Sequence, residues 1–127
     1  NGNEQLRPME RADFENCIIY GKIESEIGIE ESENTTFNYK FNNCLIKLKE
    51  SDYEISNTMH FSNNIFNENP EFIQTMDFYE YNYELDTLSA AQNSAALNIA
   101  NQFPEDLNGN SRLIDDGPDI GAYERIE

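Results

Sequence analysis

Residues able to do chemistry are thinly spread in this sequence. His60 is the single histidine, and it stands directly before Phe61 with no second imidazole or paired thiol beside it. A histidine acts as base or ligand only with a partner and with reach to a substrate. No G-x-S-x-G elbow is present to present a serine nucleophile. Two cysteines, Cys17 and Cys44, are too few for a four-ligand zinc site or a disulfide scaffold. Asp106-Leu107-Asn108-Gly109-Asn110 matches the opening of a calcium loop, but position six is Ser111 where Gly is needed and position twelve is Gly117 where Glu is needed. An Asx-rich turn accounts for that segment without an ion, so calcium is the one cofactor raised and none is assigned. Tyr79, Tyr81 and Tyr83 recur at every second position and share one face of a strand. Exposed, they would form a strip for stacking sugars or contacting protein; buried, they would anchor the tail, which is the expectation adopted. No catalytic residue and no metal ligand is assigned.

Charge narrows the classes of partner. The 127 residues carry 25 acids against 8 bases, a net charge of −17. Nucleic acid is excluded as a partner because phosphate contacts need Lys and Arg, and an anionic membrane surface is disfavoured for the same reason. The acidic runs over 24–33 and 50–54 recur at no fixed spacing and are read as solvent-facing. No apolar run approaches the ~20 residues that cross a bilayer.

The elements that position these residues follow from a repeat. Phe14-Glu15-Asn16-Cys17-Ile18-Ile19, Phe41-Asn42-Asn43-Cys44-Leu45-Ile46 and Phe61-Ser62-Asn63-Asn64-Ile65-Phe66 share the pattern F-x-N-[CN]-[IL]-[IF], with spacings of 27 and 20 residues. Such spacings suit one turn of a β-solenoid, with insertions placed in loops. In a parallel stack equivalent positions lie ~4.8 Å apart, so like residues form ladders. Phe14, Phe41 and Phe61 are expected to form an aromatic ladder; Ile18, Leu45 and Ile65 an aliphatic one. Asn16, Asn43 and Asn63 are expected at a repeated bend, where Asn tolerates the left-handed region. Cys17 and Cys44 fall at one repeat position, about 5 Å apart at Cα and within disulfide range. Side chains of a parallel ladder point the same way, so a ladder of free thiols is expected there.

Between and after these segments the pattern is looser. Residues 23–29 alternate apolar and polar and predict a half-buried strand. Asn67-Glu68-Asn69-Pro70 predicts a turn, 71–74 and 81–85 short strands, and the Ala-rich 89–100 a helical turn ended by Pro104. Turn chemistry dominates 106–119. Residues from 67 onward are expected to cap the last coil, because a bare end exposes strand edges.

The tail also carries a family signature. Asn69-Pro70-Glu71-Phe72 resembles a D-P-x-F turn, Tyr83-Glu84-Leu85 a Y-x-L block, and Ser94-Ala95-Ala96-Leu97-Asn98-Ile99-Ala100 an S-P-A-I-N-A-G block. Asp106-Leu107-Asn108-Gly109-Asn110-Ser111-Arg112 resembles D-x-x-G-N-x-R, and Asp119-Ile120-Gly121-Ala122-Tyr123-Glu124 matches D-I-G-A-Y-E. In this order the blocks resemble the C-terminal end of bacterial right-handed parallel β-helix proteins of the pectin-lyase-like superfamily, of the choice-of-anchor Q type. Ala95, Ala100 and Ser111 depart from the usual Pro, Gly and Pro. The resemblance implies an exported, extracellular or cell-surface protein, often a lipoprotein, in a superfamily some of whose members bind or cleave polysaccharide.

The fold class expected is therefore all-β: a right-handed parallel β-helix of about three short coils with an irregular C-terminal cap. Residues 1–127 form a single domain, with coils over 1–66 and the last strands and cap over 67–127. Asp106, Asn108, Gly109, Arg112, Asp119, Gly121 and Tyr123 are expected to build the cap. The tail is expected to end naturally near Glu127, and Asn1 to begin inside a longer solenoid whose upstream coils are the first partner. No signal peptide opens the chain. The expected function is a non-catalytic structural or binding module terminating an exported β-helix protein, with polysaccharide as the associated ligand. The alternative is the C-terminal portion of a polysaccharide lyase or hydrolase whose catalytic coils lie upstream.

Overall fold

The computed structural model describes residues 2–3, 5–77 and 79–126. Asn1 and Glu127, on which the expectations about the two ends rest, lie outside the described residues. The fold is all-β, with helix among the described residues confined to a 3-10 turn at Glu50–Asp52 and one α-turn, α1, at Leu97–Ala100. Six short strands form two parallel sheets. The first joins β1 (Asp13–Glu15), β3 (Lys40–Asn42) and β5 (Phe61–Ser62); the second joins β2 (Ile18–Ile19), β4 (Leu45–Ile46) and β6 (Ile65–Phe66). Each F-x-N segment thus contributes one strand to each sheet.

Register places like beside like. Phe14 pairs with Phe41 and Phe41 with Phe61; Ile18 pairs with Leu45 and Leu45 with Ile65. The Phe rings stack at 4.8 and 5.7 Å between centroids, with interplanar angles of 13° and 10°. Between the two strands of each repeat the chain must bend, and Asn16, Asn43 and Asn63 do so at φ of 55°, 50° and 53°. That left-handed region costs most L-residues more than it costs Asn.

The middle strand of the second sheet is buried on both faces. Ile46 points to one side, among Phe41, Cys44, Leu48 and Phe61. Leu45, its neighbour, points to the other, among Leu85, Ala91 and Ile120. Both are fully buried, which is why this position reads as a short continuous apolar run.

The cover of that second face comes from residues 67–77 and 79–126. It comprises the antiparallel hairpin of β7 (Phe72–Asp77) and β8 (Glu80–Leu85) and the irregular tail. Its contacts run along the flank of all three repeats, touching Ile18, Leu45 and Ile65 together. The Asn16 amide donates to the Ala96 carbonyl at 3.1 Å and accepts from its N–H at 2.7 Å, while Asn43 donates to the Ser94 carbonyl at 3.1 Å. This segment, expected over the last coil, reaches the first repeat as well, because the outward ladder offers apolar surface along its whole length.

A second correction concerns residues 23–29, which form no strand. Ile27 and Ile29 pack on the core between the sheets, and Ile23 stays exposed. Apolar alternation here reflects one-sided packing of a loop, whose Glu26 N–H donates to the Lys47 carbonyl at 2.9 Å.

Candidate functional site

The tail residues form a carboxylate network. Asp106 accepts from the N–H groups of Asn108 at 2.8 Å, Asn110 at 2.7 Å and Glu124 at 2.8 Å, and from the Asn110 amide at 3.2 Å. Burial pushes its pKa up, but these donors outweigh burial and hold it below the ordinary value. Oxygens so engaged have little left to offer a calcium ion. Among the described residues no group of three or more His, Cys, Asp or Glu is placed to hold a metal. Gly109, at φ 83°, makes the turn that lets its N–H bond the Asp106 carbonyl. Asn108 donates to Glu84 at 2.8 Å, tying the tail to the hairpin.

Asp119 and Glu124 sit deeper. Asp119 accepts N–H bonds from Asn93 at 2.7 Å and Arg125 at 2.8 Å. The Asp119 N–H donates in turn to Glu124 at 3.0 Å. Arg112 spans the group, donating to Glu124 at 3.2 Å and to the Gly121 carbonyl at 2.9 Å. Burial raises both carboxyls; the neighbouring Asp119 charge helps lift Glu124 to about 7, against the pull of the Asp119 N–H and Arg112. Every polar group has a task within the fold, so the network is structural chemistry. Gly121 completes it: φ is 113°, its N–H donates to the Asn16 carbonyl, and an added Cβ would lie 2.8 Å from Ile18 Cδ1.

His60 is likewise occupied. Its ring stacks on Tyr39 at 3.9 Å and its Nδ1 lies 2.9 Å from the Tyr39 carbonyl. Cys17 and Cys44 are both free thiols, the first partly exposed and the second buried.

The open surface lies elsewhere. A groove of about 690 Å³ runs between the first repeat and the hairpin, with Ile18, Tyr20, Phe72, Tyr83 and Tyr123 in its walls. It adjoins a second hollow of about 490 Å³ that shares Tyr20, Phe72 and Tyr83 and adds Tyr81, Lys22 and Glu71. Tyr81 and Tyr83 stack at 5.9 Å, and Phe72 meets Tyr83 edge-on at 5.2 Å. The Lys47 ammonium sits 5.1 Å from the Tyr20 ring centre.

This corrects the expectation that the Tyr strip is buried. Tyr79, Tyr81 and Tyr83 are 90%, 54% and 49% exposed. Tyr81 and Tyr83 share a strand face with Leu85, which is buried at the root of the hairpin, while Tyr79 lies in the turn before β8 at φ 69°; farther out, that face has no covering segment among the described residues. Nothing in the sequence places Tyr20 and Phe72 beside the strip, because only the fold brings them there.

No family model matches the chain, and no curated protein or solved structure matches it.

Proposed function

We propose that this chain is a non-catalytic structural and binding module that terminates a right-handed parallel β-helix on an exported or cell-surface protein, and that its Tyr-lined groove takes a neutral polysaccharide. The observation that carries the reading is the open aromatic groove built from Tyr20, Phe72, Tyr81 and Tyr83. Rings with one polar end suit a ligand that offers both apolar C–H faces and hydroxyls. Lys22 and Glu71 also line the hollow and offer groups able to hydrogen-bond sugar hydroxyls, and a net charge of −17 repels polyanions.

Like-on-like pairing of the three repeats supports the β-helix reading, as do the D-I-G-A-Y-E and D-x-x-G-N-x-R blocks that resemble the choice-of-anchor Q type. Further coils of the same protein are the partner expected at the free edge of β1 and β2. Phe14 there is 41% exposed, while Phe41 and Phe61 below it are buried. Unpaired strand edges attract pairing.

Affinity electrophoresis through gels containing neutral polysaccharides tests the groove. Migration of the native chain should slow in at least one neutral glycan, and Tyr83→Ala should restore it at least several-fold toward the free rate. Equal retardation of both proteins, or none in any neutral glycan, sinks the reading.

A further inference from the structure

The fourth position of the repeat has a fixed direction. Asn64 donates from Nδ2 to the Phe41 carbonyl at 2.9 Å and accepts at Oδ1 from the Cys44 N–H at 2.9 Å, so its side chain reaches back to the preceding repeat. Cys44 holds this position one repeat earlier and behaves alike: its Sγ lies 3.2 Å from the Phe14 carbonyl. Cys17 holds it in the first repeat, and its Sγ lies 3.2 Å from the carbonyl of Glu15. Phe14 and Glu15 are consecutive residues of β1. Both sulfurs therefore gather at the end of one strand, Cys44 leaning toward the repeat that carries Cys17.

The backbone spacing suits a bond between them. Ile18 pairs with Leu45 and the Leu45 N–H donates to the Cys17 carbonyl at 2.9 Å, which sets the two Cα atoms one parallel-strand spacing apart, ~4.8 Å. Native disulfides span about 4.4–6.8 Å at Cα. The thiols also differ in reactivity. The neighbouring Cys44 thiol draws the Cys17 pKa down against the effect of burial. The nearness of Cys17, with burial, pushes Cys44 up. Cys17 is partly exposed and Cys44 has no exposure. A thiol that is both ionised near neutral pH and reachable is the one that attacks.

We propose that Cys17 and Cys44 form a thiol–disulfide exchange site that staples the first repeat to the second when the protein meets a small-molecule disulfide. The Cys17 thiolate attacks one sulfur of the reagent, making a mixed disulfide and releasing one thiolate. Cys44 then gives up its proton and attacks Cys17 Sγ, expelling the second thiolate. The protein loses two electrons and two thiol protons; the reagent gains both and leaves as two thiols. The bond closes a loop over 17–44, whose segment 20–36 contains no strand, and so constrains the part of the repeat stack with the least regular pairing.

The test uses the reduced full chain with oxidised glutathione near pH ~8, followed by proteolysis and mass spectrometry. A joined pair of peptides carrying Cys17 and Cys44, free of glutathione, is the expected product, and the oxidised chain should melt at a higher temperature than the reduced one. Cys44→Ser should stop at a glutathione adduct on Cys17. The native protein alone suffices to decide should that variant fail to fold. A persistent glutathione adduct, a disulfide-linked dimer, or thiols that stay unmodified in the folded chain yet react in denaturant would each overturn the proposal.

Discussion

At the scale of single residues, the tail is governed by carboxylates whose environments push in opposite directions. Glu124 is held protonated to about pH 7, against an ordinary value of 4.5, chiefly by burial. The folded chain therefore binds a proton between those two values that the unfolded chain has released. Stability from this group is fully present below about pH 4.5 and declines as pH rises to about 7, by on the order of 3 kcal/mol. Asp106 has the reverse linkage, since its N–H donors favour the charged form; its contribution is present above its ordinary value of 3.8 and is lost as pH falls. Thermal melts from pH 4.5 to 8 should show the native Tm falling through this window, with Glu124→Gln falling less steeply. A native Tm that climbs from pH 4.5 to 7, or a variant that keeps the same slope, would show that Arg112 holds Glu124 charged in the fold.

At the scale of elements, the repeat was legible because parallel register sets like residues beside like: three Phe, three aliphatics and three left-handed Asn mark where the strands and bends fall. Phe41 lies between two stacked neighbours, so Phe41→Ala should cost about 3–5 kcal/mol, enough to collapse the pairing of β1, β3 and β5. Phe14→Ala, at the exposed end of the ladder, should cost less than half as much. Urea melts measure both, and equal losses would mean that the stack is not a graded one. Other features were hidden for stateable reasons. An outward ladder of Ile18, Leu45 and Ile65 declares apolar surface without declaring its cover, so the tail's place along the flank was not readable. Period-two spacing fixes the shared face of Tyr81, Tyr83 and Leu85 but not how far the hairpin projects past the core, so it leaves their exposure open. The Ile23, Ile27 and Ile29 spacing mimics a strand because any loop packed on one side alternates.

At the scale of the whole molecule, composition sets the response to salt. Eight bases cannot neutralise 25 acids, and Arg112, one of those bases, is committed inside the tail with Glu124. The remaining acids lie on a thin fold whose parallel sheets are only two to three residues wide, so charges on neighbouring loops repel across short distances. Raising NaCl from ~10 to ~150 mM shortens the Debye length from about 30 to about 8 Å, and the folded state, with its higher charge density, gains more from screening than the unfolded chain. The Tm should therefore rise with salt over this range, by several degrees for a domain of this size. Binding of a neutral glycan in the Tyr groove, measured in parallel, should change little, because stacking and hydroxyl contacts release no counterions. A Tm that falls with salt would mean that attractive pairs dominate the surface despite the composition. Glycan affinity that rises steeply with salt would mean that the groove's occupant is itself an anion held off by the same field.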